Sequence, residues 1–416
     1  LRNGKIFLHK CGSNLFLIFT IFLIENSVAS EIEATRVFMD CNYCDENFIR
    51  NEIEFVDWVR DRKDADVHVL ITRQRLGNGG RAFQFAFLAN DSTNNDTLRT
   101  ELEPNISTHE QRSALIHMIK VGLVSFVAKT PQVFDLSIEN VQRNKKEKVS
   151  HQEDDPWDSW VFEIDGQFTF NREEQQGNSS ADVGLSAKRV TEGWRITNHL
   201  WGDFEREEFQ SNEKNLISDS HTKGAWGKVV KSLGPHWSAG ISVGQWTSTT
   251  KNIRRQVGLQ PAVEYSYLDY AESDRRELRF IYSVGPRHTS YNDTTIYEKI
   301  EDQHLRQKFE IRLDSVQPWG SVELDVESSQ LLPQSEYYRL EMRGELSLRI
   351  LRGLSFDINA SFERIKDQIN LPRGNVSTED LLLRRRELQT NYMGRISVGL
   401  SYTFGSMYNN VVNTRL

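Results

Sequence analysis

From Trp157 onwards, the chain alternates apolar and polar residues through one segment after another, and this alternation constrains the fold more than any other feature. It is clear in three stretches, at 160–170, 354–362 and 396–404. Successive side chains of a β-strand point to opposite faces, so each stretch predicts a strand with one apolar and one polar face. About ten alternating residues is the length that a tilted strand needs to cross the hydrocarbon layer of a membrane. The pattern predicts a mainly β protein with an antiparallel transmembrane β-barrel of about twelve strands over 157–405.

The strands of soluble antiparallel sandwiches also alternate apolar and polar residues. The connections between the predicted strands are therefore needed to distinguish a barrel from a sandwich. Short turns are predicted to alternate strictly with longer polar loops, the longest of them at about 205–221, 286–304 and 366–389. Outer-membrane barrels have short periplasmic turns, long extracellular loops and an even number of strands. We therefore expect a barrel in the outer membrane with both of its ends on the periplasmic side.

Composition excludes two classes of protein. Mean hydropathy is −0.56, too polar for a bundle of membrane-spanning helices, each of which needs roughly 20 mostly apolar residues. A barrel tolerates this polarity because its inward-facing residues are polar. The formal net charge of −8 argues against a nucleic-acid partner, which usually requires a basic face.

Residues 1–30 have the pattern of a signal peptide. Arg2, Lys5 and Lys10 precede the short apolar run 15–23, and small residues at 27–29 are suited to cleavage. The alternative is an N-terminal membrane anchor. The expectation is that the mature protein crosses the inner membrane and enters an oxidising compartment.

Residues 31–140 mix helical and strand periods, which predicts a small α+β domain on the periplasmic side. The predicted strands lie at 36–39, 67–72, 83–87 and 97–103, and the predicted helices at 46–59 and 108–129. A polar, charged stretch without periodicity then predicts a linker over 141–156. A C-terminal tail is predicted over 406–416.

Cys41 and Cys44 are the two cysteines that remain after the predicted signal peptide. In an oxidising compartment a pair spaced in this way can close a small disulfide, which is the favoured interpretation. Redox activity is the alternative, because a predicted strand precedes the pair and a predicted helix follows it. No second pair of ligands accompanies them to form a zinc site, and no cofactor is predicted.

Two stretches resemble known families. The last predicted strand, 394–404, has apolar residues at Val398, Leu400, Tyr402 and Phe404 and looks like the C-terminal recognition strand of Gram-negative outer-membrane barrels, although residues continue past Phe404. That resemblance implies insertion by the barrel assembly machinery and contact with outer-membrane lipid. The stretch 64–70, with the order of its neighbouring elements, resembles the first domain of TolB and related envelope proteins. This second resemblance implies a protein-binding role and brings no catalytic residues.

The polar faces of the predicted strands are strongly ionic. Charged residues with this parity on three consecutive predicted strands include Lys308, Glu310, Arg312, Asp314, Glu323, Asp325, Glu327, Glu341, Arg343, Glu345 and Arg349. Neighbouring strands bring acids and bases within cross-strand reach, so we expect them to pair and to fill the narrow lumen of a barrel of this size. An ion-conducting pore lined by charged rings is the alternative.

Two further patterns have a chemical and a structural interpretation. His288 and Ser290, two residues apart with lipid-facing parity, are similar to the pair that outer-membrane phospholipases use, although a surface loop is the expected structure here. Arg384, Arg385 and Arg386 form a basic run that could bind lipopolysaccharide phosphates or simply be a solvated face.

The leading functional hypothesis is a non-enzymatic outer-membrane barrel that anchors a periplasmic recognition domain. That domain would bind another envelope component, because a domain with its own core and linker is more than a simple pore needs. A channel or transporter gated by the domain is the first alternative, and a lipid hydrolase is the more distant one.

Overall fold

The computed structural model describes two sheets, one on each side of the predicted linker. The described residues are 34–77, 79–89, 95–104, 106–135, 137, 155–210, 215–270, 273, 275–374, 387–408 and 410. They belong to one compact unit that begins at Ala34. The predicted signal peptide, residues 141–154 of the predicted linker and Arg384–Arg386 lie outside the described residues.

The first sheet has five strands and two helices and is of the predicted α+β class. Its strands are β1 (Arg36–Asp40), β2 (Asp57–Trp58), β3 (Val67–Arg75), β4 (Arg81–Ala89) and β5 (Asp96–Leu102). Its helices are α1 (Glu46–Glu52) and α2 (Thr108–Val127), with 3-10 turns at Arg62–Asp64 and Pro131–Asp135. The strand order is β2-β1-β3-β4-β5; β1 pairs in parallel with β2 and β3, and β4 pairs antiparallel with β3 and β5.

The long helix α2 forms because its start is capped and one of its faces is apolar. Ser107 and Glu110 form a capping box: the Glu110 amide donates to Ser107 Oγ at 3.2 Å, and the Ser107 amide donates to Glu110 Oε2 at 2.9 Å. The buried face shares a core with the inward side chains of β4. This core includes Leu115, Ile119, Leu123 and Phe126 of the helix and Phe83, Phe85 and Phe87 of the strand.

The predicted helix 46–59 is wrong in its second half. The helix α1 ends at Glu52, and Ile53 turns the chain back so that β2 can pair in parallel with β1. Ile53, Val56 and Val59 are nevertheless buried, as their apolar pattern predicted. Pairing with the edge of the sheet therefore outweighs the helical period, and Trp58 Nε1 fixes the bend by donating to Ile53 O at 3.1 Å.

The second sheet has twelve strands in sequence order, each antiparallel to its neighbours. The strands are β6 (Trp160–Arg172), β7 (Gln176–Val190), β8 (Trp194–Gln210), β9 (Asn215–Ser232), β10 (Trp237–Ser248), β11 (Ile253–Ser266), β12 (Arg276–Tyr291), β13 (Glu301–Gln317), β14 (Gly320–Leu332), β15 (Tyr338–Leu351), β16 (Leu354–Ile365) and β17 (Tyr392–Tyr402). The predicted number of strands is confirmed, and the order without crossovers is that of a β-barrel-like fold. Among the described residues, no helix is both long and apolar enough to cross a membrane.

The two faces of this sheet differ in polarity. The face that carries Glu163 and Lys308, here called the polar face, holds most of the charged side chains. The face that carries Phe162 and Phe309, here called the apolar face, exposes large hydrophobic side chains, among them Ile164 at 82% and Leu400 at 70%. The exposed apolar face inverts the arrangement of a soluble protein, which covers such a surface.

The sheet curls towards its polar face. Trp201 of β8 and Arg306 of β13 line the same cavity of about 340 Å³. Five strand spacings separate these two strands, which would place them roughly 24 Å apart on a flat sheet, since neighbouring strands lie about 4.8 Å apart. A cavity of that size can touch both only if the sheet is strongly curved, with the polar face on the concave side.

The predicted strict alternation of short and long connections is wrong. At one end of the sheet the connections span 191–193, 233–236, 267–275, 318–319 and 352–353; at the other end they span 173–175, 211–214, 249–252, 292–300, 333–337 and 366–391. Several segments predicted as loops continue as paired strands, because pairing satisfies their backbone hydrogen-bonding groups. Arg206 and Asp219, inside the predicted loop 205–221, form an ion pair at 2.7 Å across β8 and β9.

Replacing Gly122 with alanine should destabilise the first sheet. A Cβ there would meet the Phe87 ring at 2.0 Å, and Phe87 is fully buried, so it has little room to move. The clash should cost about 1–3 kcal/mol. It should outweigh the roughly 1 kcal/mol that alanine gains over glycine in a helix. Hydrogen exchange over 108–127 in the full-length protein should be faster than in the Ser113→Ala control, and equal protection would contradict this packing.

Candidate functional site

The ion pair between Asp40 and Arg349 joins the first sheet to the second. The contact region around this pair is here called the junction. Asp40 is the last residue of β1, and Arg349 lies on the polar face near the end of β15. Arg349 Nη1 and Nη2 donate to the two carboxylate oxygens of Asp40, each at 2.6 Å. The Asp40 side chain is 11% exposed and that of Arg349 is 30% exposed. A bidentate pair of this kind is both strong and directional. The structure therefore gives Arg349 a partner in the first sheet instead of the predicted partner on a neighbouring strand.

The surroundings of Asp40 favour its charged form. Burial alone would raise the pKa of Asp40, but the interactions with His68 and Arg349 outweigh burial and hold the pKa below its usual value. His68 Nε2 lies 3.4 Å from the carboxylate, and Phe38 packs against both the imidazole and the guanidinium. This end of β1 is therefore built around one negative charge.

Further contacts fix the first sheet at the same place. The Gly353 amide donates to Asp61 Oδ2 at 2.5 Å, and Arg352 pairs with Asp64 at 2.8 Å. After β17 the chain also returns to the first sheet, where Tyr408 forms an antiparallel bridge with Val59 beside β2. The described residues of the C-terminal tail, 406–408 and 410, therefore lie along the β2 edge of the first sheet.

The first sheet also reaches strands on the far side of the second. Arg75 lies 3.5 Å from Glu163 on β6, and Gln74 Nε2 donates to Ser273 Oγ, between β11 and β12, at 3.1 Å. Together with the pair at Arg349, these contacts span the second sheet from β6 to β15. A domain of about 100 residues has a radius of gyration of about 13 Å, so it touches all three only because the sheet curls. The first sheet lies across one end of the curled sheet, at the connections 267–275 and 352–353.

Cys41 and Cys44 form a disulfide immediately after Asp40. The enclosed loop is anchored by Tyr43, whose hydroxyl donates to Ile71 O at 2.8 Å and whose pKa is raised by burial. Asp45, which follows Cys44, caps α1 and pairs with Arg112 of α2 at 2.9 Å. The disulfide thus holds the turn between β1, which ends on the junction, and α1.

The predicted charges on the polar face divide into a paired group and an acidic row. Among the described residues the pairs are Lys308 with Glu310, Lys308 and Arg306 with Glu327, Arg312 with Asp325, and Arg343 and Arg339 with Glu341. The acidic row consists of Asp314, Glu323 and Glu345, which lie opposite one another on β13, β14 and β15 and make no ion pair in the described part of the chain. Arg306 and Arg339 lay outside the predicted set, although their parity on the predicted strands could have identified them.

His288 and Ser290 lie in a strand, so the predicted loop at this point is wrong. The strand β12 continues to Tyr291 because Gly285 and Pro286 keep their register with β13. Ser290 is 8% exposed, and its hydroxyl donates to Arg255 O at 3.3 Å. Among the described residues this is the hydroxyl's one side-chain hydrogen bond, and its acceptor is a backbone carbonyl, not a basic side chain.

The C-terminal strand residues Val398, Leu400 and Tyr402 share the apolar face of β17 and are exposed. Phe404 lies just beyond the strand and stacks on Tyr402, with ring centroids 5.5 Å apart. Within the described residues, no cluster of His, Cys, Asp and Glu has the geometry of a metal site.

Comparison with known proteins adds no family to this description. No protein-family model matches the chain, and no curated protein sequence is detectably similar to it.

Replacing Asp40 with asparagine should loosen the junction. The change removes the negative charge that faces Arg349. Because the Arg349 side chain is partly solvated, we expect docking to weaken by about 1–2 kcal/mol. Hydrogen exchange at the 351–354 turn, whose Gly353 amide donates to Asp61, should become about tenfold faster. Asp96→Asn, an exposed acid on β5, is the control. Unchanged exchange in Asp40→Asn would contradict the role of this ion pair.

The junction should also weaken in acid. His68 and Arg349 lower the pKa of Asp40, and because undocking removes Arg349, the docked state binds fewer protons than the undocked state. The stabilisation is therefore complete above the usual aspartate pKa of about 4 and is lost as the pH falls through the lower docked value. Exchange at the same turn should accelerate below about pH 4 in the native protein and respond less in Asp40→Asn. The same acid response in both proteins would show that another group controls docking.

Proposed function

We propose that the chain is an outer-membrane β-barrel of a Gram-negative bacterium that holds a recognition domain at its periplasmic end. The observation that carries the proposal is the inverted polarity of the twelve-stranded sheet combined with the docked first sheet. A curled sheet with its charges inside and its hydrophobic side chains outside suits a lipid environment. A domain held across one end of this sheet is well placed to bind another envelope component.

The geometry of the outer strands supports closure into a barrel. With twelve antiparallel strands, β6 and β17 run in opposite directions, as a closing antiparallel pair requires. Both strands present their large hydrophobic side chains on the apolar face, for example Phe168 and Leu400. Pairing of β6 with β17 would remove the two open edges that a membrane does not tolerate.

The orientation follows from the position of the first sheet. The barrels of this class keep their chain ends in the periplasm. The first sheet and the C-terminal tail meet at the same end of the second sheet, near Gly353 and Tyr408. We assign this end to the periplasm, where an oxidised Cys41–Cys44 pair is also stable.

The first sheet retains surface for a partner. The described tail residues lie along the β2 edge, whereas β5 pairs only with β4 in the described residues and so presents a free edge. An extended segment of another protein can add a strand to such an edge. The outer face of α2, with His109 and His117 exposed, lies outside the core as well.

A gated channel is the second candidate, favoured by the position of the first sheet across one end of the curled sheet. The contacts at Glu163, Ser273 and Arg349 surround that end from three sides. A domain held there would obstruct passage of solutes through the lumen. The ion pair Asp40–Arg349 would then be one of the contacts that opening must break.

Deletion of residues 34–131 distinguishes the two candidates. For a recognition domain, the shortened protein should still insert into the outer membrane but lose the proteins that co-purify with the full chain from native envelopes. For a gate, planar-bilayer conductance should rise on deletion. Unchanged partners would refute the platform, and silence in both forms would refute the channel. Failure to insert would contradict an independent barrel.

A further inference from the structure

The cavity on the polar face between β8 and β13 has the chemistry of a ligand site. Its volume of about 340 Å³ lies within the usual range of about 300–1,000 Å³ for small-molecule pockets. Most of its lining residues have polar-face parity, and those used below are Trp201, Trp226, Trp246, Lys228, Gln260 and Arg287. None of them belongs to the paired charges or the junction described above.

Two cations in this cavity lack a counter-charge. In the part of the chain that the structure describes, neither Lys228 nor Arg287 makes an ion pair or a side-chain hydrogen bond. The acids that act electrostatically on these two cations are already engaged: Glu310 pairs with Lys308 at 2.6 Å, Glu264 lies 3.6 Å from Arg279, and Asp367 pairs with Arg339 at 2.9 Å. Lys228 is exposed and can reach a ligand in the cavity, whereas Arg287 is half-buried, so an anionic ligand would offset the cost of leaving the Arg287 charge partly desolvated and unpaired.

One neutral donor in the cavity, the side-chain amide of Gln260, also lacks a hydrogen-bond acceptor in the described part of the chain. The side-chain nitrogen of Gln260 is buried and has no hydrogen-bond partner among the described residues. Buried donors are almost always satisfied, so an acceptor on a ligand in the cavity would complete the hydrogen bonding of this amide. The lining therefore offers positive charge and hydrogen-bond donors at the same place.

Tryptophans give the cavity flat apolar walls. Trp201, Gly224 and Trp246 lie opposite one another on β8, β9 and β10. A Cβ at Gly224 would lie 3.0 Å from the Trp201 ring and 2.9 Å from Trp246 Cβ, so the glycine lets the two side chains approach each other. Trp226 lies opposite Gly244 in the next row. Indole faces provide broad apolar contact for a ring, and their N–H groups add further donors.

We propose that this cavity binds an anionic sugar, with the tryptophans against the sugar ring, Lys228 and Arg287 on its carboxylate or phosphate, and the Gln260 amide on a ring hydroxyl. A neutral sugar would leave both cations unpaired. The site lies in the lumen of the proposed barrel, but its chemistry does not depend on membrane location or on the partner of the first sheet.

Titration of the full-length protein in detergent micelles tests the site, with tryptophan fluorescence as the signal and calorimetry as the check. The probes are glucuronate, glucose 6-phosphate, glucose and benzoate. Saturable binding of one or both anionic sugars, at least about tenfold tighter than that of glucose or benzoate, is the expected result. Glucuronate and glucose 6-phosphate distinguish a carboxylate from a phosphate ligand.

Lys228→Gln and Arg287→Gln should each weaken anionic-sugar binding by about tenfold or more, as expected for loss of a charge-assisted contact. Arg343→Gln removes the same charge from an exposed position of the polar face and should bind normally. Trp226→Leu should weaken the binding of every ring-shaped probe. Equal binding of glucose and glucuronate, unchanged affinity in both cation variants, or no saturable binding up to about 10 mM would overturn the proposal. Circular dichroism confirms that each variant is folded.

Discussion

The backbone ladder that joins each strand of the second sheet to the next one in sequence is the constraint on which the structure depends. It fixes the parity of every side chain, so a shift of one residue in β13 would place Glu310 and Arg312 on the apolar face. The ladder also explains why predicted loops became strands. Wherever two polar segments can pair, as at Arg206 and Asp219, pairing satisfies their backbone groups without any need for apolar side chains.

The first sheet uses the ladder differently. Its own core is held by α2 packed on β4, and its position is set by a few polar contacts at the ends of strands, above all Asp40 with Arg349. These contacts are directional but weaker than a hydrophobic interface. In the proposed barrel, the arrangement would suit a domain that must be placed accurately and still respond to another component, whether that component is a protein or a solute in the lumen.

The sequence predicted the features that depend on local period. The number of strands in the second sheet, the opposed faces of β6 and β16 and the capped helix α2 all follow from alternation or capping, which neighbouring residues specify. Asp40 and Arg349 are separated by 309 residues, and nothing in either neighbourhood indicates the other. The same holds for the tail at Tyr408 and for the cavity, because Trp201 and Arg287 meet only through the curvature of the whole sheet. The helix predicted over 46–59 failed for a related reason, since the β1 edge that competes for Trp58 lies elsewhere in the chain.

The most direct test of the account is the environment of alternate residues along β16 in a reconstituted bilayer. Single cysteines at 356–362 carry a spin label, and the measurement compares collision with oxygen, which dissolves in lipid, and with a water-soluble nickel complex. For a membrane-spanning sheet we expect high oxygen collision at Phe356, Ile358, Ala360 and Phe362, and low values at Asp357, Asn359 and Ser361. The nickel complex should collide more often with the polar-face positions than with the apolar-face positions, or should reach neither face of the strand. Uniform access of the nickel complex to both faces would contradict a membrane-spanning sheet and, with it, the proposed barrel.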